Sequence, residues 1–346
     1  MDLMDDQCLW RLRFRKDIVM ELCNLLQPDL QRQTRLGTAL TVASKVTIAL
    51  NFYATGSFQA ATADISSISQ FATHSSMGQV TDALCKRRRD HISFLMSREK
   101  QLEQQTRFVR FADFPRVQNA IDCTHVALRA LQNNPEFFRN RKVFYSLYVQ
   151  LVCNHNHKII AVDAQYPGSS HDAFILCQTG MPGVFAGPNQ DCSWFLGDKG
   201  YPLCTGLLTP LRNPRTAAQQ AYNDSQSAIR CIIEQTIGIL KQSFRCLDRS
   251  GGVLQYSPEQ VSLFVVVCFM LHNLAIKRAQ PLEDEAAVPP DEEDQEEEAQ
   301  EHDMQQEEEE AQEEDQDEGR RPRRKRRSHR DPAREGLNHL IAVRFR

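Results

Sequence analysis

Asn119-Ala120-Ile121-Asp122-Cys123-Thr124-His125 places an acid directly after a short, partly apolar run, with a hydroxyl and an imidazole close behind it. Such a run reads as a buried strand that ends at the acid. A second stretch repeats the pattern. In Trp194-Phe195-Leu196-Gly197-Asp198-Lys199-Gly200-Tyr201-Pro202 an acid closes an apolar segment, and glycines on either side let the backbone turn sharply and approach a ligand. Thirty-five residues separate Asp198 from Glu234, which lies inside a helical pattern. An α/β sheet aims side chains from the carboxyl ends of its strands at one place, and a neighbouring helix can add to them. A fourth acid, Asp172, follows Tyr166-Pro167-Gly168-Ser169-Ser170-His171. The alternatives are local: Asp172 as a helix N-cap, Asp122 and Asp198 as turn formers at strand ends.

Working outward, residues 1–110 read as helical. Ala39 to Ala54 has apolar residues at helical spacing and is stopped by Thr55-Gly56-Ser57; Phe58 to Ile65 and Met77 to Cys85 follow as shorter helices. Helix, turn, helix is one reading of this order, and a bundle packed against the rest is the other. Lys86-Arg87-Arg88-Arg89 would close the last helix, where cations suit the dipole. From about residue 111 the pattern becomes strands: Val117 to Ile121, Val143 to Cys153, and Ile159 to Gln165 after the turn Asn154-His155-Asn156-His157. A short helix after His171-Asp172, strands at Trp194 to Gly197 and Leu207 to Thr209, and a long helix from Ala217 to Phe244 complete it. The order β-β-β-α-β-α-β-α predicts an α/β, ribonuclease-H-like mixed sheet flanked by helices. On the long helix Ile229, Ile233, Ile237, Leu240 and Phe244 form one apolar stripe. Glu234 lies beside that stripe with Arg230 four residues before it, Gly238 four after and Lys241 seven after. These bases suit a phosphate backbone crossing the acid, and Arg230 with Glu234 also suits a plain surface ion pair.

Charge divides the chain. Residues 283–318 hold 21 acidic residues and no Lys or Arg, and Arg320-Arg321-Pro322-Arg323-Arg324-Lys325-Arg326-Arg327 follows at once. Blocks of like charge repel and bury nothing, so residues 281–346 are expected to be a disordered tail, acidic and then arginine-rich. Without it, residues 1–280 carry 30 Lys+Arg against 22 Asp+Glu, a net of +8 where the whole chain has −4. A basic body suits a polyanion. The eleven cysteines are scattered with no CxxC pair, which excludes a disulfide framework and a zinc site. The amino-terminal charges leave no apolar signal core, and Leu263 to Leu271 is too short for a bilayer span, so no membrane is expected.

Converging carboxylates repel one another and raise one another's pKa, a conflict that cations resolve. Oxygen donors without thiolates favour hard ions, so Mg²⁺ or Mn²⁺ is the expected cofactor, with Asp122, Asp172, Asp198 and Glu234 as metal ligands. Two such ions, roughly 3.5–4 Å apart, serve in-line attack on a phosphodiester. The predicted reaction is hydrolysis or transfer at DNA.

Four motifs in order, those around Asp122, Asp172 and Asp198 together with Arg230-xxx-Glu234-xxx-Gly238-xx-Lys241, resemble the DDE endonucleases of Harbinger transposons and their domesticated, transposase-derived relatives. The similarity spans residues 1–280. It implies that Asp122, Asp198 and Glu234 are a catalytic DDE triad and that Asp172 is an additional metal-site acid. Cys123 and Lys199 depart from the Gly and Ser that are frequent there. The resemblance also implies a Myb-like DNA-binding protein as partner, which brings the nuclease to DNA and into the nucleus; the cytoplasm is a second location, and a homo-oligomer is compatible with it. Arg139-Asn140-Arg141-Lys142 offers backbone contacts near the hairpin or is a solvated charge run. Competing functions are a scaffold that keeps the fold without cutting, and a tail that binds basic proteins such as histones, with Arg320 to Arg327 as an import signal.

Overall fold

A computed structural model describes residues 4–31, 40–57, 68–94, 97–131, 134–185, 193–279 and 332–345. The helix expected over Phe58 to Ile65 lies outside these, as does the charged stretch 281–331.

Helices come first: α1 (Asp5–Leu12), α2 (Lys16–Leu30), α3 (Val42–Thr55), α4 (Gln70–Cys85), the single turn α5 (Arg88–His91) and α6 (Arg98–Ala112). Thr41 caps α3 by accepting from the Ser44 amide, and Gly56 ends it at φ 68°, a conformation that glycine adopts without a Cβ penalty. Helix α4 starts seven residues ahead of the expected Met77, at a Ser69 cap. Its polar first turns stay helical because the Thr73 and Ser76 hydroxyls bond back to the Ser69 and Ala72 carbonyls. Arg87 donates to the Ala83 carbonyl at 2.7 Å and, with Lys86, pairs with Asp29, so half of the basic cluster closes the helix and ties it to α2.

The sheet has five strands in the order β3-β2-β1-β4-β5: β1 (Val117–Ala127), β2 (Ser146–Cys153) and β3 (Ile159–Pro167) run antiparallel, and β4 (Trp194–Leu196) and β5 (Leu207–Leu208) lie parallel to β1 on its other side. The β2–β3 hairpin forms where the sequence places it, its turn held by the Asn154 side chain accepting from the amides of Asn156 and Lys158. Two expectations are corrected. Strand β1 does not stop at Asp122 but continues to Ala127, paired with β2 residue by residue. The apolar run ends at Ile121 because polar side chains take over the alternation there, while the backbone still finds partners in β2. Among the described residues β4 and β5 are joined without the helix expected between them.

Helices α7 (Asp172–Gln178) and α8 (Met181–Phe185) cover one face over a small cluster of Ile121, Val152, Ile160, Phe195 and Tyr201. The long α9 (Ala217–Ser243) and α10 (Pro258–Lys277) belong to the larger core of the other face. Ile229, Ile233 and Leu240 of α9 are fully buried, as the stripe requires. Helix α10 is long and apolar enough to cross a membrane by composition, yet Val265, Val267, Phe269 and Leu271 are buried inside the body. Truncating Phe269 to Ala would cost about 3–5 kcal/mol. The same core takes in Phe14, Val46, Tyr53 and Leu84 from the leading helices, so the boundary expected near residue 110 marks a change of secondary structure and not a break in packing.

The tail expectation also needs correction. Pro332–Arg344 forms a helix, α11, whose Leu337 and Ile341 join the core, and Phe345 packs on Phe114 and Tyr222. Once the charge run ends, apolar residues at a spacing of four are enough to dock a helix.

Candidate active site

Register brings the first two aspartates together. Ala120 of β1 pairs with Leu196 of the parallel β4, and Asp122 and Asp198 each lie two residues beyond, on adjacent chains running the same way. Asp122 accepts from the Cys123 amide at 2.7 Å. Burial pushes its carboxyl up to about 8, the Asp198 charge adds to the rise, and Arg230 opposes it. Asp198 accepts from the Gly200 amide at 3.0 Å. Burial and then the Asp172 charge push it to about 6, again against Arg230.

Asp172 enters from the other side as the first residue of α7. His171 occupies the cap position, and the Asp172 carboxylate faces the sheet, where it accepts from the Tyr148 hydroxyl at 2.7 Å. Its second oxygen comes up to Gly200. A Cβ built on Gly200 would sit 2.5 Å from Asp172 Oδ2 and 3.3 Å from Asp198 Oδ1, so both carboxylates crowd the space that the missing side chain leaves. Tyr201, next in sequence, turns under the sheet to Cys123 Sγ and Gln150 Nε2, each at 3.2 Å, and fastens this loop to β1 and β2.

Glu234 is not drawn into this group. Helix α9 is pinned by Gln226, whose buried amide donates to the Gly197 carbonyl at 2.7 Å, just ahead of Asp198. One turn later stands Arg230, within electrostatic reach of Asp122 and Asp198. Glu234 comes a further turn on, half-exposed at 49%, with its Oε1 2.9 Å from Arg230 Nη2. Of the four predicted ligands, the structure gathers Asp122, Asp172 and Asp198 and leaves Glu234 on the rim, held by a cation that also faces the aspartates. Among the described residues no three acid, His or Cys side chains are closed into a ready-made metal centre.

Donor chemistry nonetheless fits a hard divalent cation. The gathered atoms are carboxylate oxygens, two of the acids are held above their ordinary range, and the crowding at Gly200 leaves two carboxylates sharing one small space. Sequence reasoning missed Tyr148, Gln150 and Gln226, whose polar groups are spent on orienting the site. Their signal is a polar side chain at a position where a strand or helix turns inward.

The DDE superfamily endonuclease family matches residues 121–273, a span that includes all four acids. Human HARBI1, a protein named as a candidate nuclease, is 35% identical over 277 residues, covering 80% of this chain and 79% of its own. The chain belongs to the HARBI1 family of Harbinger transposase-derived nucleases. HARBI1 of Xenopus laevis is 30% identical over 82% of each chain, and the ALP1-like protein of Arabidopsis thaliana is 22% identical over 76% of this chain and 69% of its own. No solved structure matches. The matching family model is that of an endonuclease superfamily, and the HARBI1 proteins are named as candidate nucleases.

Proposed function

We propose that this family member is a DNA endonuclease that uses Mg²⁺ or Mn²⁺ at a ribonuclease-H-like sheet, the strand order 3-2-1-4-5 with a single antiparallel meander supporting that assignment. The observation that carries the reading is the meeting of Asp122, Asp172 and Asp198 from three separate elements at Gly200 and Arg230. Three carboxylates gathered on a part-buried edge are costly unless a cation is to sit among them.

Asp122, Asp172 and Asp198 would hold the metal, and Glu234 would complete the set on leaving Arg230. When bound, the cation supplies Lewis acidity toward a phosphoryl oxygen and lowers the pKa of an attacking water. The chain's own groups do the rest. Tyr148 keeps the Asp172 carboxylate turned to the site, and the Gly197 and Gly200 backbone lets Asp198 approach. Arg230 and Lys241, on the edge of α9, line the approach with positive charge that suits a phosphate backbone. A body of net charge +8 over residues 1–280 favours encounter with DNA. Delivery to the nucleus by a Myb-like partner, with Arg320 to Arg327 as an import segment, fits the family's origin and the basic run.

Plasmid nicking by the full-length chain tests this. Mg²⁺ or Mn²⁺ should be required, and Asp122→Ala and Asp198→Ala should each remove activity. Calorimetric titration of the same cations separates the second reading, a silent scaffold: cation binding without any nicking would support the scaffold and defeat the enzyme.

A further inference from the structure

Between β1 and β2 the chain makes a short 3₁₀ turn (Pro135–Phe138) and then a tight hairpin closed by the pairing of Arg139 with Tyr145. Its tip is Asn140-Arg141-Lys142-Val143. Asn140 is buried and braces the tip from inside, accepting from the Phe144 amide at 3.1 Å and donating to Ser146 Oγ at 3.2 Å. Val143 sits at φ 61° and is 66% exposed. A three-residue hairpin loop places glycine at that left-handed position, and a β-branched residue there is strained. Two-thirds exposed, the Val143 side chain recovers little packing to offset that strain. Phe137, in the 3₁₀ turn that leads into the hairpin, is 61% exposed.

The tip is also tied to the active site. Ser169 donates to the Phe137 carbonyl through both its amide, at 3.1 Å, and its hydroxyl, at 2.7 Å. Gly168 is required for this docking, since a Cβ there would lie 2.6 Å from the Phe138 carbonyl oxygen. Arg141 Nη2 meets His171 Nδ1 at 2.7 Å, one residue before Asp172. Arg249 lies 4.8 Å over the Phe144 ring and buttresses the loop from behind. Arg141 and Lys142 of the tip and Lys241 of α9 all act on His125, so cations from two elements converge on this flank.

We infer that this loop is a DNA clamp: Val143 and Phe137 press as apolar wedges against the bases flanking the scissile phosphate, and Arg141, Lys142 and Lys241 grip the backbone on either side. Apolar side chains held rigidly among cations match the surface of a duplex opened at one step, where a wedge takes the place of a stacked neighbour. A protein partner would gain little from an isolated valine on a strained tip ringed by like charge. The inference rests on the DNA-nuclease reading and adds the part of the chain that holds the flank.

The test measures binding of the full-length chain to a labelled duplex carrying 2-aminopurine, with Ca²⁺ in place of Mg²⁺, for wild type, Val143→Gly and Arg141→Gln. Glycine suits the turn, so Val143→Gly should fold at least as well. It should bind about three- to ten-fold more weakly and lose the 2-aminopurine fluorescence increase that wild type gives. Arg141→Gln should reduce the slope of log affinity against log salt by about one. Equal binding and equal fluorescence in Val143→Gly, with wild-type nicking intact, would overturn the clamp and leave the nuclease standing. A wild-type chain that binds no duplex, or binds double-stranded RNA as tightly, would overturn the clamp, and the former result would defeat the nuclease reading with it.

Discussion

The strand-borne aspartates and the helix-borne Glu234 are all acids of one expected site, yet the fold treats them oppositely. Asp122 and Asp198 are placed by the register of two parallel strands and are pushed up to about 8 and about 6 by burial, with the Asp198 charge adding to the rise of Asp122 and the Asp172 charge to that of Asp198. Glu234 sits half in solvent with its charge answered by Arg230 at 2.9 Å. Asp122 cannot relax when like charges meet, because the backbone ladder of β1 holds it, and Asp198 is held just past β4 by the Gly200 amide and the Tyr201 anchor, whereas a glutamate on a helix edge can turn to whatever cation is near. The strand side is therefore the fixed half of the site and the helix side the adjustable half. Arg230 lies between them and partly takes the role of a cation.

The largest expected effect comes from disturbing the fixed half. Asp198→Ala should lower nicking by a factor of about 10³ or more, in line with losses seen when transition-state charge stabilisation is removed. Gly200→Ala sharpens the comparison without touching an acid, because the added methyl would press on Asp172 Oδ2 at 2.5 Å. Calorimetry should show its Mg²⁺ affinity reduced at least tenfold, and wild-type affinity in that variant would mean that the two carboxylates do not share the space at Gly200.

Next in size is a stability effect of unusual sign. A carboxyl whose folded pKa stands above its unfolded value contributes no penalty below pH 4 and weakens the fold increasingly as pH rises towards its folded value of about 8 for Asp122. In cation-free buffer Asp122→Asn should therefore raise the melting temperature at pH 8, by an amount corresponding to a few kcal/mol, and change it little at pH 4. Saturating Mg²⁺ should stabilise wild type and not the variant. Thermal melts with and without chelator read both.

The core offers the opposite slope as a contrast. His272 is buried in α10, with Nε2 2.9 Å from the His157 carbonyl, and burial holds it down at about 4. The unfolded chain takes up that proton near pH 6.5, so the stability from neutral His272 is present above 6.5 and is lost as pH falls through 4. Urea unfolding should weaken by about 2–3 kcal/mol between pH 7 and pH 4 through this group, and His272→Gln should flatten that slope. With the carboxylates tilting the other way, cation-free protein should be most stable on the mildly acidic side of neutral.

This contrast also shows what was legible beforehand. Acids after apolar runs were visible because the apolar pattern gives way where the site begins, and the apolar stripe of α9 was visible because its period is intrinsic to a helix. The continuation of β1 beyond Asp122 was not, since Asp122, Cys123 and His125 break the apolar pattern for the sake of the site while β2 supplies the hydrogen bonds. The docking of α11 was hidden behind a charge run, although Leu337 and Ile341 carry the spacing. The pairing of Glu234 with Arg230 was one of the two readings that their i,i+4 spacing allows, and the structure takes it; which of the two holds depends on where Gln226 pins the helix, a long-range contact.

The smallest expected effect tests the adjustable half. An i,i+4 ion pair whose acid is half-exposed contributes only about 0.3–0.5 kcal/mol, so Glu234→Gln should leave cation-free stability almost unchanged. Arg230→Gln should cost more, because the same guanidinium offsets the charges of Asp122 and Asp198 and its loss leaves them facing each other. A double-mutant cycle on urea stability separates the two roles: coupling between Arg230 and Glu234 should stay within about 0.5 kcal/mol, while coupling between Arg230 and Asp122 should exceed it. If the two couplings came out equal, Arg230 would be no more than a surface partner of Glu234, and the distinction between a fixed and an adjustable half would fail at the residue that joins them.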